Sequence, residues 1–154
     1  MDKTFVQWND FHRHCDILSG KILADFKELD TIVALARGGV IPARLLAENI
    51  KFNNFYVLGL SLYDDHTRKE RINVYQDLPN TMNNCKHNTI LIVDDISDGG
   101  TTLTYAFTKL KHAYPNSKII TATPYIKPHT SFIPDYYTKE FQNNEWIVFP
   151  FEKD

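Results

Sequence analysis

The sequence has little of what marks membrane, extracellular or nucleic-acid-binding proteins. No apolar run approaches the roughly 20 residues that cross a bilayer, and residues 1–5 contain no apolar signal core. Two cysteines, Cys15 and Cys85, form no CxxC unit, which favours reduced thiols in a reducing compartment. The net charge of −2 provides no basic excess for nucleic acid or an anionic membrane. We therefore expect a cytoplasmic protein without a nucleic-acid partner, and the 154 residues suit a single domain, 1–154.

Helical spacings and short apolar runs alternate along the chain. Apolar side chains recur every three or four residues between 8 and 26, which predicts a helix with one buried face. This order of elements indicates an α/β fold with a mainly parallel, twisted sheet flanked by helices. Residues 63–88 are polar and predict an exposed, mobile loop or hairpin, and the aromatic C-terminal third predicts short strands over the sheet's edge. The predicted strands are 31–36, 55–62, 89–93 and 117–125, and the further helices are 42–49 and 101 to about 114.

The most unusual segment is the exit of the strand at 89–93. Asp94 and Asp95 follow the apolar run at once, Asp98 comes four residues after the first of them, and two glycines and two threonines then open a helix. Glycine lets a ligand approach the main chain, and free amides at a helix start attract an anion. The carboxylates would repel a phosphate unless they bind ribose hydroxyls or Mg²⁺. A ligand with a phosphate, a ribose diol and a metal-bound pyrophosphate therefore suits the whole segment.

The sequence supports neither a P-loop ATPase nor a classical dinucleotide-binding fold, because it contains neither GxxxxGK(S/T) nor GxGxxG. Residues 93–102, Val-Asp-Asp-Ile-Ser-Asp-Gly-Gly-Thr-Thr, instead resemble the signature with which type I phosphoribosyltransferases bind 5-phosphoribosyl-1-pyrophosphate (PRPP). The resemblance implies the type I fold, with a small base-binding hood at about 126–154 and Mg²⁺ as the cofactor. Residues 35–39 resemble the family's pyrophosphate loop, in which a non-proline cis peptide is expected at Ala36–Arg37.

The same resemblance assigns the contacts to PRPP. Asp94 and Asp95 would hold the ribose hydroxyls, and residues 98–102 would clamp the 5′-phosphate. The full set of residues expected to bind PRPP is Arg37, Gly38, Asp94, Asp95, Ile96, Ser97, Asp98, Gly99, Gly100, Thr101 and Thr102.

The C-terminal part resembles the family's base pocket. Lys127 falls where the family donates to O6 of a 6-oxopurine, and an ammonium group can only donate, which argues against adenine. Residues 145–152 resemble the end of the pocket in bacterial xanthine–guanine phosphoribosyltransferases. There Trp146 would stack on the purine and the carbonyl of Ile147 would accept from it. Glu152 would join Asp95 in holding Mg²⁺, at a place where the family usually has Asp.

Two residues are expected to act in the reaction itself. The resemblance places Asp98 near N7 of the purine as a general base. It places Lys69, beside Arg68, where the family's mobile loop carries an arginine that contacts pyrophosphate, and this loop is expected at about 63–75. His66 and His129 lack metal-ligand spacing and are interpreted as surface residues.

The sequence therefore predicts transfer of the phosphoribosyl group from PRPP to N9 of xanthine, guanine or hypoxanthine, as in purine salvage. Because the family commonly forms dimers or tetramers, a homo-oligomer is expected. Three alternatives stay open: a phosphoribosyltransferase for another acceptor such as adenine, orotate or uracil, a regulator that senses PRPP or a nucleotide, and a non-nucleotide user of PRPP. The intact Asp94, Asp95 and Asp98 favour an enzyme over a regulator.

Overall fold

The computed structural model describes residues 2–64, 70–142 and 144–153. A short 3-10 helix, Asn80–Asn84, accompanies the regular elements. Within these ranges, none of the helices has the length and apolar character of a membrane span. In chain order the elements are β1 (Lys3–Phe5), α1 (Trp8–Asp25), β2 (Glu28–Ala36), α2 (Val40–Asn49), β3 (Lys51–Asp64), β4 (Glu70–Gln76), β5 (Thr89–Val93), β6 (Ile96–Ser97), α3 (Thr101–Ala113), β7 (Lys118–Ala122), β8 (Tyr125–Ile126), β9 (Lys139–Glu140) and β10 (Trp146–Val148).

A five-stranded sheet in the order β4-β3-β2-β5-β7 forms the centre of the protein. Strands β3, β2, β5 and β7 pair in parallel, and β4 pairs with β3 in the antiparallel direction. Helices α1 and α2 pack on one face through Leu18, Ile22 and Leu46, and α3 packs on the other through Leu103 and Leu110. Strands β2 and β5 are buried on both faces, which is why they are continuous apolar runs in the sequence. The expected α/β fold with a mainly parallel sheet is confirmed.

Two smaller sheets form the C-terminal region, which we call the hood. Strands β6, β8 and β9 make one of them, and β1 pairs with β10 in the other, so that the two ends of the chain meet. Phe11 of α1 packs with Tyr125, Phe141 and Phe149 in an aromatic core that joins the hood to the helix. Since β6 follows β5 almost directly, the hood begins at the carboxyl end of the central sheet. The expected short C-terminal strands are therefore present.

Some elements differ from their predicted bounds. Strand β3 begins at Lys51 rather than Phe55, because its polar first residues still pair with β2. Strand β7 ends at Ala122, since Tyr125 and Ile126 pair with β6 instead of the central sheet. Within the polar segment 63–88, β4 pairs with the end of β3, as in the expected hairpin, whereas Met82 and His87 further along are buried and not exposed. Residues 65–69 of the predicted mobile loop lie outside the described residues.

Both cysteines are free, in agreement with the reduced thiols expected from the sequence. Cys15 is buried in α1, and burial raises the pKa of its thiol to about 12. Cys85 is exposed on the surface.

Candidate active site

Two loops meet at the carboxyl edge of the central sheet. They follow β2 and β5, which are adjacent parallel strands and therefore end on the same side. A Cβ atom on Gly38 would overlap the carboxylate of Asp95, so only glycine allows the two loops to approach this closely. The peptide bond between Ala36 and Arg37 is cis, as the resemblance implies.

A cavity of about 1140 Å³ opens at this edge. Arg37 and Gly38 line it from the first loop and Asp95 from the second, and Trp146 and Glu152 line it from the hood. These are five of the residues for which the sequence predicts contact with the ligand. The cavity is large enough for a nucleotide-sized molecule, and the tertiary structure brings these five residues together. Asp94, residues 96–102, Lys127 and Ile147, which are also expected to bind the ligand, are not among the residues that line it.

The cavity also has lining residues that the sequence analysis missed. Lys3 and Lys153 lie near the two ends of the chain, and Tyr75 comes from β4. Their positions carry no motif, and the two lysines reach the cavity because β1 pairs with β10. They add positive charge and an aromatic ring to a cavity that Arg37, Asp95 and Glu152 already line with charged groups.

Asp94 and Asp95 lie where two negative charges are unfavourable. Burial, followed by repulsion from Asp95, raises the pKa of Asp94 well above its usual range. Burial, with added repulsion from Glu152, raises the pKa of Asp95 to about 6. The backbone amide of Asp95 donates to the Asp94 carboxylate at 2.9 Å. Carboxylates in this environment favour partners that bring positive charge or hydroxyl donors, such as a metal ion and a ribose diol.

Asp95 and Glu152 offer hard oxygen ligands to a cation in the same cavity. Among the residues that the structure describes, no group of three or more His, Cys, Asp or Glu could hold a metal ion by itself. Mg²⁺ suits this small donor set, because proteins usually hold it with one or two carboxylates while water and phosphate oxygens complete its shell. One oxygen of Glu152 accepts from the amide of Phe149 at 2.9 Å, which orients the side chain.

The loop at 98–102 leads into α3. Gly100 is the N-cap residue, with a φ of +91°, and it has no side chain to cover the first amides of the helix. A Cβ atom there would lie 2.6 Å from the amide nitrogen of Phe132. The amide and hydroxyl of Ser131 both donate to the carbonyl of Gly99, at 3.1 and 2.7 Å. The loop is thus held from the hood and leaves a bare helix start that can bind an anion.

Other residues expected to contact PRPP have contacts of their own. The Ser97 side chain is 1% exposed and hydrogen-bonded within the protein, so it supports the loop. The Thr101 hydroxyl donates to the carboxylate of Glu70 at 2.6 Å, which places a negative charge beside the bare helix start. Ile96 in β6 and Thr102 in the first turn of α3 are partly buried.

The residues expected to bind the base lie around β10. Trp146 is 57% exposed and lines the cavity, so its ring is open to stacking. The amide of Trp146 and the carbonyl of Val148 are hydrogen-bonded to the segment that contains β1. Because successive residues of a strand direct their backbone groups to opposite sides, the carbonyl of Ile147 points away from β1. Lys127 is only 3% exposed, and its ammonium donates to the carbonyl of Glu145. It is therefore a buried lysine near the start of β10 and not a solvated surface residue.

Asp98, the expected general base, is exposed and paired. His129 donates from Nε2 to Oδ1 of Asp98 at 2.7 Å, and its Nδ1 lies 3.1 Å from Oδ1 of Asn144. The interpretation of His129 as a surface residue is right about its exposure but misses this contact. Lys69 and Arg68, the candidate loop cations, lie outside the described residues.

Known proteins share this arrangement of strands and loops. A xanthine-guanine phosphoribosyltransferase from Idiomarina loihiensis is 26% identical over 148 residues, which cover 96% of this chain and 86% of that protein. A purine phosphoribosyltransferase from Pyrococcus horikoshii has a similar structure, with a TM-score of 0.81 and 32% identity over 100% of this chain and 97% of that chain.

A xanthine-guanine-hypoxanthine phosphoribosyltransferase from Helicobacter pylori shares the fold, with a TM-score of 0.79. It is 21% identical, and the match covers 96% of this chain and 92% of that chain. The family model of the phosphoribosyl transferase domain matches residues 3–154. Because that model spans nearly the whole sequence, this protein belongs to the phosphoribosyltransferase family.

Proposed function

We propose that this protein is a purine-salvage enzyme that transfers the 5-phosphoribosyl group from PRPP to N9 of a 6-oxopurine. The products are the nucleoside monophosphate and pyrophosphate, and the acceptor is xanthine, guanine or hypoxanthine. One observation carries the proposal: a single cavity contains the arginine of the pyrophosphate loop, a carboxylate suited to the ribose and an exposed tryptophan, which are Arg37, Asp95 and Trp146. The similarity to purine-using relatives supports it.

PRPP binding is assigned to the two loops at the sheet edge. The bare amides at the start of α3 and the hydroxyls within 98–102 would bind the 5′-phosphate. Asp94 and Asp95 would accept hydrogen bonds from the ribose 2′- and 3′-hydroxyls, and Arg37 would bind the pyrophosphate. Asp95 and Glu152 would hold Mg²⁺, which, when bound, neutralises charge on the pyrophosphate as it leaves.

The base would be held between the hood and the PRPP loop. Trp146 would stack on the purine, and the carbonyl of Ile147 would accept from its 2-position or ring N–H. The ammonium of Lys127 has three donors, so it can donate to the purine O6 as well as to the carbonyl of Glu145. Asp98 lies in the loop that faces this region and would take the N7 proton.

The reaction exchanges one bond at C1 of the ribose for another. The bond from C1 to pyrophosphate breaks with its electron pair going to the leaving group, and the family resemblance implies an oxocarbenium-like C1. The lone pair of N9 forms the new bond, and the N7 proton passes to Asp98. We further propose, from the resemblance alone, that the loop with Lys69 closes over the site and excludes water. A homo-oligomer and a cytoplasmic location remain predictions from the sequence.

A panel of bases tests the function. The protein is incubated with PRPP, MgCl₂ and hypoxanthine, guanine, xanthine, adenine, orotate or uracil, and nucleotide and pyrophosphate formation are followed. We expect product with 6-oxopurines and none with adenine or the pyrimidines. A preference for adenine or a pyrimidine would refute the base assignment. PRPP binding without product from any base would refute the proposed reaction and favour a regulator or a non-nucleotide user of PRPP.

Replacement of Trp146 by alanine tests the base site separately. The KM for the base should rise about tenfold, which corresponds to a loss of roughly 1.4 kcal/mol of stacking. The KM for PRPP should be unchanged, because the proposed arrangement gives the ring a contact with the base and none with PRPP. Trp8 is a matched control, since it is 51% exposed and does not line the cavity. Equal effects of Trp146→Ala and Trp8→Ala would contradict the stacking role.

A further inference from the structure

We propose that His129 is a positioning residue that holds the Asp98 carboxylate in the orientation from which it accepts the purine proton. The proposal rests on the proposed function of Asp98 as a general base. Its evidence is the hydrogen bond from Nε2 of His129 to Oδ1 of Asp98, which is 2.7 Å long. Nothing in the PRPP signature or in the base-pocket resemblance includes a histidine at this place.

Asp98 needs such a partner because it lies on an exposed loop. Its side chain is 55% exposed, so without a partner its carboxylate would be free to change rotamer. A general base must lie within hydrogen-bonding reach of the proton that it removes. The 2.7 Å separation is in the range of charge-assisted hydrogen bonds. Because His129 binds Oδ1, the second oxygen is left for N7 of the purine.

His129 is itself held on both sides. Its second ring nitrogen lies 3.1 Å from Oδ1 of Asn144. The next residue, Thr130, donates its amide to the carbonyl of Lys127 at 3.2 Å, and its hydroxyl lies 2.8 Å from that of buried Ser97. The imidazole is therefore attached to a segment that is hydrogen-bonded to the PRPP loop, and it can fix the position of a carboxylate on that loop.

The same imidazole connects the three segments proposed to surround the base. It follows Lys127 by two residues, its partner Asn144 precedes Trp146 by two, and Asp98 belongs to the PRPP loop. His129 contacts the side-chain carboxylate of Asp98, whereas the phosphate contacts are proposed for amides and hydroxyls of the loop, so His129 should act on the base and its proton. Loss of His129 should therefore lower kcat/KM for the base while leaving the KM for PRPP unchanged.

Two substitutions separate positioning from simple structural support. His129→Ala is expected to lower kcat/KM for hypoxanthine and guanine about tenfold. This loss is smaller than the roughly 100-fold or more that a general base contributes, because Asp98 itself is still present. His129→Gln should recover most of this loss, because its amide can donate to the same carboxylate. Thermal unfolding of both variants should match the wild type. His112→Ala, at the exposed end of α3, is the matched control and should have wild-type kinetics.

A double substitution tests whether His129 acts through Asp98. In an Asp98→Asn background, His129→Ala should cause no further loss. The inference is overturned if His129→Ala matches or exceeds the wild type, if glutamine is as slow as alanine, or if the loss persists beside Asp98→Asn. Near-normal activity of Asp98→Asn itself would refute the general base and His129 together. A slow Asp98→Asn with an unaffected His129→Ala would refute this inference alone.

Discussion

Replacing Asp95 by asparagine is expected to make the unliganded protein more stable while preventing it from binding PRPP. The reason is the site that surrounds this side chain: burial and the Glu152 carboxylate raise the pKa of Asp95 from its ordinary 3.8 to about 6. The folded state therefore takes up this proton more readily than the unfolded chain does. Ionisation of Asp95 therefore lowers the free energy of unfolding. This loss is absent below the pKa of the carboxyl in the unfolded chain and complete above its pKa in the folded protein.

The size of the effect follows from the pKa difference. The shift from 3.8 to about 6 is about two pKa units, and at 1.36 kcal/mol per unit this corresponds to roughly 3 kcal/mol. An asparagine side chain cannot ionise, so the variant should gain up to about 3 kcal/mol of unfolding free energy at pH 8. For a chain of this size that raises Tm by about 6 to 12 °C. At pH 4 the folded wild type is protonated, and the gain should fall below about 1 kcal/mol.

Urea unfolding at pH 8 and pH 4 measures this difference, with PRPP binding measured in parallel. Glu140→Gln, which removes an exposed carboxylate of β9, is the control and should have little effect at either pH. An Asp95→Asn variant that is no more stable than the wild type at pH 8 would refute the reasoning. An equal gain at pH 8 and pH 4 would refute it as well, because the gain would then have no link to ionisation.

Two further predictions concern the loop at 98–102. Gly100→Ala should lower the unfolding free energy by about 1–3 kcal/mol, since its φ is +91° and its Cβ would meet a backbone nitrogen at 2.6 Å. Gly20→Ala in α1 has open space around it and should instead raise stability by about 0.5–1 kcal/mol; similar urea midpoints for the two variants would contradict this. Glu70→Gln removes the carboxylate that accepts from Thr101, so the KM for PRPP should fall about two- to fivefold. An increase in that KM would show that Glu70 assists phosphate binding.

Much of the fold follows from local signals. Strands β2 and β5 are predictable because they are buried on both faces and so contain continuous apolar runs. Helix α1 is predictable because its buried side chains recur with the helical period. The loop at 94–102 is also recognisable from the sequence as a candidate ligand site, because its carboxylates, glycines and threonines lie close together in the chain.

The contacts that complete the site have no local signature. Thr101 meets Glu70, and Asp98 meets His129, over a separation of 31 positions in each case. The sequence leaves Lys127 compatible with a solvated surface position, but in the folded chain the carbonyl of Glu145, just before β10, accepts from its ammonium. Such pairs depend on strand order and register, which the composition of neither segment determines.

The order of amino acids by itself determined which segments form the four parallel strands of the central sheet, and which of their ends is followed by acids and a glycine-rich helix start. Those properties follow from the apolar or polar character and the backbone freedom of consecutive residues, which the local sequence sets. Only the tertiary structure decided which side chains share the cavity. The pairing of β1 with β10 brings both chain ends to the carboxyl edge of the sheet, because backbone hydrogen bonds join segments regardless of their distance along the chain.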